Sequence, residues 1–177
     1  MSSEASQSRV SLARFTTATG DVALALLAAT LLIGPANLLL RRRTPVSHYL
    51  RRDVGTWTAL LSVVHVIAGF QVHGAPGSLG DRIRSYFLAR DGRPLTDAFG
   101  LGNWTGLAAT LIVLGLLAIS SNAALRAVKA RPWKWLQRLN YVLFALVVAH
   151  AVFYGALLRT ASHTTAMLAI SVIAVLA

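Results

Sequence analysis

The sequence predicts an all-α integral membrane protein, a bundle of four to five transmembrane helices. Of its 177 residues, 55% are hydrophobic and 13% are charged, and the mean hydropathy is +0.61. That balance leaves too little polar surface for a soluble globule of this size. Several uncharged runs also reach the roughly 20 residues that a helix needs to cross a bilayer. Composition and run length together therefore indicate the membrane class.

The uncharged runs place the helices in order along the chain. Four of them predict spans at about 22–40, 54–72, 101–124 and 139–158. A fifth run, 164–177, predicts another span and is still apolar at the last residue. Residues 1–20 are rich in Ser, Thr and Ala without periodicity, which is typical of a flexible tail. We therefore expect a tail followed by one transmembrane domain over 21–177.

The formal net charge of +11 comes from 17 basic and 6 acidic residues. The basic residues cluster in segments that flank the apolar runs, notably 41–52 and 126–138. Cytoplasmic segments of membrane proteins carry such an excess, whereas the segment 73–97 mixes both signs. The charge thus indicates an orientation with the N-terminus outside, and we expect membrane lipid and no nucleic acid as a partner.

Two histidines, His65 and His150, lie inside predicted spans, where ionisable side chains are rare and usually functional. Counted at about 1.5 Å per residue, both lie about 17 Å from the cytoplasmic ends of their helices. Two imidazoles at one level suit the axial positions of a haem iron better than zinc. With no cysteine, iron–sulfur clusters and covalent haem attachment are excluded. The alternative is that each histidine bonds to a neighbouring helix.

Small residues share one helical face with His65, and Ser62 and Gly69 are among them. Such a face admits a flat ring, but it is equally typical of a close helix–helix contact. We predict cofactor contacts for both residues. Arg159, at the outer end of the His150 helix, is predicted to reach a haem propionate, with lipid phosphate as the alternative. His73, at the edge of the membrane, is the rival ligand, although a solvated histidine is the simpler interpretation.

Two motifs give the sequence a family resemblance. The first is Arg-Arg-x-x-Gly at 51–55, followed by His65, and the second is Trp-Lys-x-Leu-Gln-Arg-Leu-x-Tyr at 133–141, followed by His150. Together they resemble the ferric reductase-like transmembrane haem domain family. This family includes the membrane domains of ferric reductases and NADPH oxidases and the haem subunit of a bacterial periplasmic methionine sulfoxide reductase system. The resemblance implies haem b between the two helices, with His65 and His150 as the ligands nearer the outer surface.

The sequence departs from the two-haem members of that family at the second ligand pair. Their additional histidines lie 13 to 14 residues earlier on each helix, where this chain has Arg51 and Gln137. Arginine stays protonated and the glutamine amide is a poor iron ligand, so we expect one bis-His haem. The usual family core also has six spans, compared with the four or five predicted here.

These observations predict a b-type haem membrane protein that relays single electrons to an acceptor on the outer side, such as ferric iron or a periplasmic redox protein. No nucleotide-binding glycine motif is present. The electron donor is therefore expected to be separate: quinol, a flavoprotein or another subunit. The alternative is a non-catalytic subunit of a larger membrane complex, with a structural haem, a chlorophyll-type pigment or no cofactor.

Overall fold

A computed structural model describes residues 3–39, 46–73, 77–128, 130–155 and 169–173. Within these ranges every regular element is a helix, which confirms the all-α class. The seven named helices are α1 (Ser3–Leu39), α2 (Val46–His73), α3 (Leu79–Phe87), α4 (Ala98–Ala118), α5 (Asn122–Val128), α6 (Ala130–Gln137) and α7 (Leu139–Phe153). Residues 169–173 are also helical, but most of the predicted fifth span lies outside the described residues.

Helix α1 corrects the expectation of a flexible tail over residues 1–20, because it begins at Ser3. No glycine or proline interrupts the chain before Gly20. The Thr16 hydroxyl donates to the Leu12 carbonyl at 2.9 Å and Thr19 donates to Phe15 at 3.1 Å, so these polar side chains are satisfied within the helix itself. A segment whose composition is typical of disorder therefore continues as one helix into the membrane span.

Two other predicted spans end earlier than expected. Helix α4 covers Ala98–Ala118 instead of 101–124, and Ser121 accepts a hydrogen bond from the Ala124 amide at the start of α5. Helix α7 ends at Phe153 instead of 158, and Gly155 follows with a φ of 73°, a left-handed conformation that commonly ends helices. Residues 156–158 lie outside the described ranges.

Within the described ranges, four helical segments are long and apolar enough to cross a membrane: Ser6–Asn37, Tyr49–Val72, Ala98–Ala118 and Trp135–Phe153. Large apolar side chains also project from the outside of these helices. Ile67 of α2, Leu111 of α4 and Val142 of α7 are 55%, 63% and 48% exposed. A lipid solvent accommodates such an apolar outer surface. The chain is an integral membrane protein.

The four long helices form two antiparallel pairs. Helix α1 packs against α2, and α4 packs against α7, while α2–α4 and α1–α7 contacts join the pairs. The order around the bundle is therefore α1, α2, α4, α7, which leaves α2 and α7 diagonally opposite. Side chains that point inward from α2 and α7 meet at the centre.

Apolar side chains from all four helices fill one part of the bundle interior, which we call the apolar plug. Its buried members are Leu24, Leu27, Ala28 and Leu31 of α1, Ala59 of α2, Ala109, Val113 and Leu116 of α4, and Leu143 and Phe144 of α7. The plug lies toward the end of the bundle where α4 leads into α5 and α6, which we call the basic end.

Helix α3 lies at the opposite end, called here the α3 end. It starts with a capping box in which the Ser78 hydroxyl accepts from the Asp81 amide at 3.2 Å and donates to the Asp81 carboxylate at 2.7 Å. Tyr86 of α3 is buried, whereas Leu79 and Ile83 are exposed. The helix is thus fixed to the bundle by one face.

Candidate functional site

His65 of α2 and His150 of α7 face each other inside the bundle. Their ring centroids are 6.1 Å apart and the ring planes are nearly perpendicular, at 81°. The structure therefore brings together at one level the two histidines that the sequence singled out.

Each imidazole is held by a backbone carbonyl of the paired helix. His65 Nδ1 lies 2.8 Å from the Thr16 carbonyl oxygen of α1, and His150 Nδ1 lies 2.7 Å from the Gly102 carbonyl oxygen of α4. A carbonyl only accepts, so Nδ1 carries the proton in both rings. This tautomer leaves both Nε2 atoms unprotonated, with a lone pair available for a metal.

Glycines provide the space for the two rings. A Cβ atom on Gly20 would lie 2.9 Å from His65 Cε1, and one on Gly106 would lie 2.7 Å from His150 Nδ1. Both distances are shorter than Cβ contacts in real structures. In each helix the glycine follows the accepting residue by four positions, one turn further along. A side chain larger than hydrogen would displace the imidazole from its carbonyl.

The two arrangements repeat almost identically. The accepting residue precedes its histidine by 49 positions in the first helix pair and by 48 positions in the second. A carbonyl, a glycine one turn later and a histidine on the next long helix thus recur in each pair. The amino-acid identities other than glycine and histidine differ, so the repeat is visible in the geometry and not in the sequence.

The distance between the two rings suits two imidazole ligands of one metal ion. Imidazole nitrogens bind metals at about 2.0–2.1 Å, so two rings on opposite sides of one ion have centroids about 6.3 Å apart, close to the separation observed here. Within the described residues, no group of three His, Cys, Asp or Glu side chains could hold a metal. A haem iron would need only two such ligands from the protein, because the macrocycle supplies the others.

The small-residue face of α2 serves the contact with α1. A Cβ on Gly55 would lie 3.9 Å from a Thr30 methyl group, and one on Gly69 would lie 3.8 Å from a Thr16 methyl group. The Ser62 hydroxyl donates to the Thr58 carbonyl at 2.8 Å. These contacts fit the helix-packing interpretation of this face, and a cofactor contact for Ser62 or Gly69 stays a prediction. Arg159 and the side chain of His73 lie outside the described structure.

A polar bridge, which we call the clamp, crosses the bundle at the α3 end of the histidine pair. The Tyr154 hydroxyl donates to Asn103 Oδ1 at 2.5 Å, and Asn103 Nδ2 donates to the Tyr86 carbonyl at 2.9 Å. The Tyr86 hydroxyl in turn donates to the Gly69 carbonyl at 2.5 Å. The clamp thus runs from the His150 helix through α4 and α3 to the His65 helix.

Aromatic rings pack around the clamp and reach the site. The Tyr154 ring lies 4.8 Å from the His150 ring, and Phe99 lies 6.0 Å from Tyr154 and 5.5 Å from Tyr86. Phe70 contacts Tyr86 at 4.9 Å. With the apolar plug on the other side, these rings enclose the histidine pair between two water-poor layers.

The level of the missing histidine pair lies beyond the plug, toward the basic end. Gln137 accepts from Asn140 Nδ2 through its backbone carbonyl at 2.9 Å and its side-chain oxygen at 3.3 Å. Arg51 Nε is buried without a hydrogen-bond partner in the described part of the chain. Between this level and the histidines, the interior is filled by plug residues such as Leu27, Val113 and Phe144.

The residues that orient the two histidines carry little signal in the sequence. Thr16 and Gly20 lie in the segment whose composition predicts a flexible tail, and only a continuous helix brings them one turn apart on one face. The Gly102-x-x-x-Gly106 spacing is typical of close helix packing, and in the structure both glycines pack against α7 and the residue that follows it. Asn103 and Tyr86 had no sequence signal beyond their position near span ends.

Comparison with known proteins gives two matches. The family described as the ferric reductase like transmembrane component matches residues 19–148. The MsrQ heme-binding subunit of protein-methionine-sulfoxide reductase from Ralstonia nicotianae is 31% identical over 139 residues, 76% of this chain and 56% of that protein. The chain thus spans a little over half the length of this relative. No solved structure matches the chain.

Proposed function

Because the chain belongs to the ferric reductase-like transmembrane family, we propose that it holds one b-type haem between His65 and His150 and relays single electrons in the membrane. The observation that carries this proposal is the pair of imidazoles 6.1 Å apart, each with Nδ1 bound to a carbonyl. When bound, the haem would supply a one-electron Fe(III)/Fe(II) couple.

In this proposal the residues around the site do three things. His65 and His150 would hold the haem iron through Nε2, the ring nitrogen that is not bonded to a carbonyl. The Thr16 and Gly102 carbonyls accept hydrogen bonds from the Nδ1–H groups, which fixes the ring planes and makes the ligands more basic. The plug and the aromatic rings at the α3 end exclude water. Such a site favours electron transfer without proton transfer, because the plug and the aromatic rings keep water away from the two imidazoles.

The orientation we propose follows the charge pattern. The basic end, which carries Arg51 and Arg126, faces the cytoplasm, and the α3 end faces outward. The N-terminus of α1 is then outside, and in a bacterium the membrane is the inner membrane. The histidine pair lies on the α3 side of the plug, so an acceptor on the outer side would be nearer to the iron than a cytoplasmic donor.

The partners we propose follow from the family and from the named relative. The relative is named as a heme-binding subunit of a protein-methionine-sulfoxide reductase. We propose that this chain similarly passes electrons to a separate catalytic protein on the outer side, and that it takes them from quinol, a flavoprotein or another subunit. Arg159 would pair with a haem propionate, which a charge-assisted hydrogen bond would stabilise.

A pigment-binding alternative predicts a different arrangement. A chlorophyll-type magnesium takes one axial histidine, so two such pigments would need their histidines on separate faces with room for two macrocycles. The facing rings at 6.1 Å favour one shared ion. A structural haem in a non-catalytic subunit would have the same ligands, and a measured rate of electron delivery to an external acceptor would distinguish it from an electron relay.

The test is the haem content of the purified protein. We expect a b-type reduced-minus-oxidised spectrum and a pyridine haemochrome in the wild type, and nearly complete loss of haem in His65→Ala and in His150→Ala, because each removes an axial ligand. His73→Ala is the matched control on the same helix and should keep wild-type content. Wild-type protein without a b-type spectrum, or full haem content in either ligand variant, would contradict the proposal.

A further inference from the structure

We propose that Asn103 is a positioning residue, which sets the imidazole plane of His150 through Tyr154 and clamps the two ligand helices together. The inference rests on the proposed haem function and adds to it a determinant outside the ligands. It concerns the clamp, the chain of hydrogen bonds that joins Tyr154, Asn103, Tyr86 and Gly69.

The register of the clamp relates it to both ligands. Tyr154 follows His150 by four positions, and Gly69 follows His65 by four positions, so each lies one helical turn beyond its histidine on the same face. The clamp therefore joins α2 and α7 immediately outside the histidine pair. Helices α2 and α7 lie diagonally opposite each other in the bundle. The hydrogen bonds of the clamp can therefore set the distance between these two helices at the α3 end.

Asn103 is the centre of the clamp. It is buried in α4, with 7% of its surface exposed, and both ends of its amide form hydrogen bonds. Burying a side-chain amide costs free energy unless its oxygen and its nitrogen both form hydrogen bonds. Asparagine is therefore well suited to hold two neighbouring groups in fixed positions and poorly suited to face lipid. Apolar side chains of similar size would pack here but would hold neither Tyr154 nor α3.

The His150 ring is held from two sides by neighbouring residues of α4. The Gly102 carbonyl accepts a hydrogen bond from His150 Nδ1. The next residue, Asn103, accepts a hydrogen bond from the Tyr154 hydroxyl, and the Tyr154 ring packs on the imidazole with ring centroids 4.8 Å apart. Rotation of the His150 imidazole about its Cβ–Cγ bond would require the Tyr154 ring to move. The clamp reaches the His65 helix through the Gly69 carbonyl, one turn beyond the histidine. The clamp therefore acts mainly on the orientation of His150.

The experiment removes one hydroxyl and follows the angle between the imidazole planes. Axial imidazoles with near-perpendicular planes give ferric haem a highly anisotropic low-spin EPR signal, and the 81° angle predicts this type for the wild type. Tyr154→Phe keeps the ring but breaks its hydrogen bond to Asn103. We expect it to keep its haem, to shift or broaden the low-field g value and to change the reduction potential. A role in packing alone would leave the g value where it is.

Tyr141→Phe is the matched control, since Tyr141 lies on the same helix but is 57% exposed and outside the clamp. It should give the wild-type spectrum. Unchanged g values and potential in Tyr154→Phe would overturn the inference and leave the proposed function intact. A wild type without low-spin haem would instead overturn the proposed function.

A second measurement does not depend on haem. The chain has no cysteine, so Ile67→Cys on α2 and Val152→Cys on α7 would give two unique spin-label sites at exposed positions near the clamp. Asn103→Leu in this background should broaden the distance distribution between the labels, whereas Tyr141→Phe should not. If Tyr154→Phe loses its haem, the label distances in Asn103→Leu test the proposal instead. A distance distribution as narrow as that of the parent protein would show that the clamp does not hold the two helices together.

Discussion

Each imidazole at the centre of the bundle donates its Nδ1 proton to a carbonyl of the neighbouring helix and lies against a glycine one turn further along. The carbonyl determines which ring nitrogen carries the proton. The glycine, which has no side chain, lets the imidazole ring lie close to the neighbouring helix. Either feature alone would leave the ring free to rotate or to withdraw. At the scale of single residues, the site therefore depends on backbone groups as much as on the two histidines.

We expect Gly106→Ala to lower haem content at least several-fold. The added methyl group would lie 2.7 Å from His150 Nδ1, so the ring must move and its hydrogen bond to Gly102 must break. The control is Gly115→Ala on the same helix, where a Cβ meets nothing within 4 Å. That change should keep the haem and stabilise the helix by about 0.5–1 kcal/mol. Haem content and thermal unfolding of both variants provide the measurement.

The same comparison can be made on α1. Gly20→Ala would place a Cβ 2.9 Å from His65 Cε1, whereas Gly34→Ala would meet nothing within 4 Å. We expect haem loss from the first variant and normal content in the second, measured by pyridine haemochrome. Equal haem content in the two variants would show that α1 does not orient His65.

The histidines could be predicted from the sequence because an ionisable residue in an apolar run stands out against its neighbours. Thr16 and Gly102 could not, since both act through a carbonyl that every residue possesses. Gly106 stands four positions after Gly102, but such a glycine spacing does not say which helix lies against it. Residue identity reveals ligands more readily than it reveals the groups that orient them.

At the scale of elements, the four long helices were predictable, while their ends were not. Uncharged runs gave the helix centres, but α4 stops at Ala118 within an apolar run and α1 starts eighteen residues before its predicted boundary at 21. Composition suggested a tail because Ser and Thr are poor helix formers in water. In α1 their hydroxyls bond to carbonyls of the same helix, which removes that penalty.

Helix α3 should lose part of its stability in acid. The pKa of Asp81 is lowered from its ordinary 3.8, chiefly by the Ser78 hydroxyl and then by the Ser78 amide. Because the folded-state pKa lies below the unfolded value, this carboxylate stabilises the start of α3 above about pH 4, and its contribution disappears as the pH falls through the folded pKa. The consequence is confined to the loop that carries Tyr86.

Hydrogen–deuterium exchange over residues 79–87, corrected for intrinsic rates, measures this effect. Protection should decrease between pH 6 and pH 3 in the wild type. Asp81→Asn should already be less protected at pH 6 and should change little on acidification. Asp91→Asn, in the same loop but outside the capping box, is the control and should behave like the wild type. Identical pH profiles for Asp81→Asn and the wild type would contradict the assignment.

At the scale of the whole molecule, we expect one haem per chain. The bundle interior between the histidines and the level of Arg51 and Gln137 is filled by the apolar plug, and neither of these residues is an iron ligand. The measurement is the ratio of haemochrome to protein, with amino-acid analysis as the protein standard. A ratio near two would mean that the plug opens or that other ligands exist.

The carbonyl, glycine and histidine of each half belong to one helical pair, and this has a consequence for biogenesis. The Thr16–His65 bond lies within α1 and α2, and the Gly102–His150 bond lies within α4 and α7. Each hairpin can therefore complete its own half of the site as it enters the bilayer, before it meets the other. Insertion of the cofactor would then be the last step of assembly, and the cofactor would join the two completed helix pairs through noncovalent bonds to their histidines.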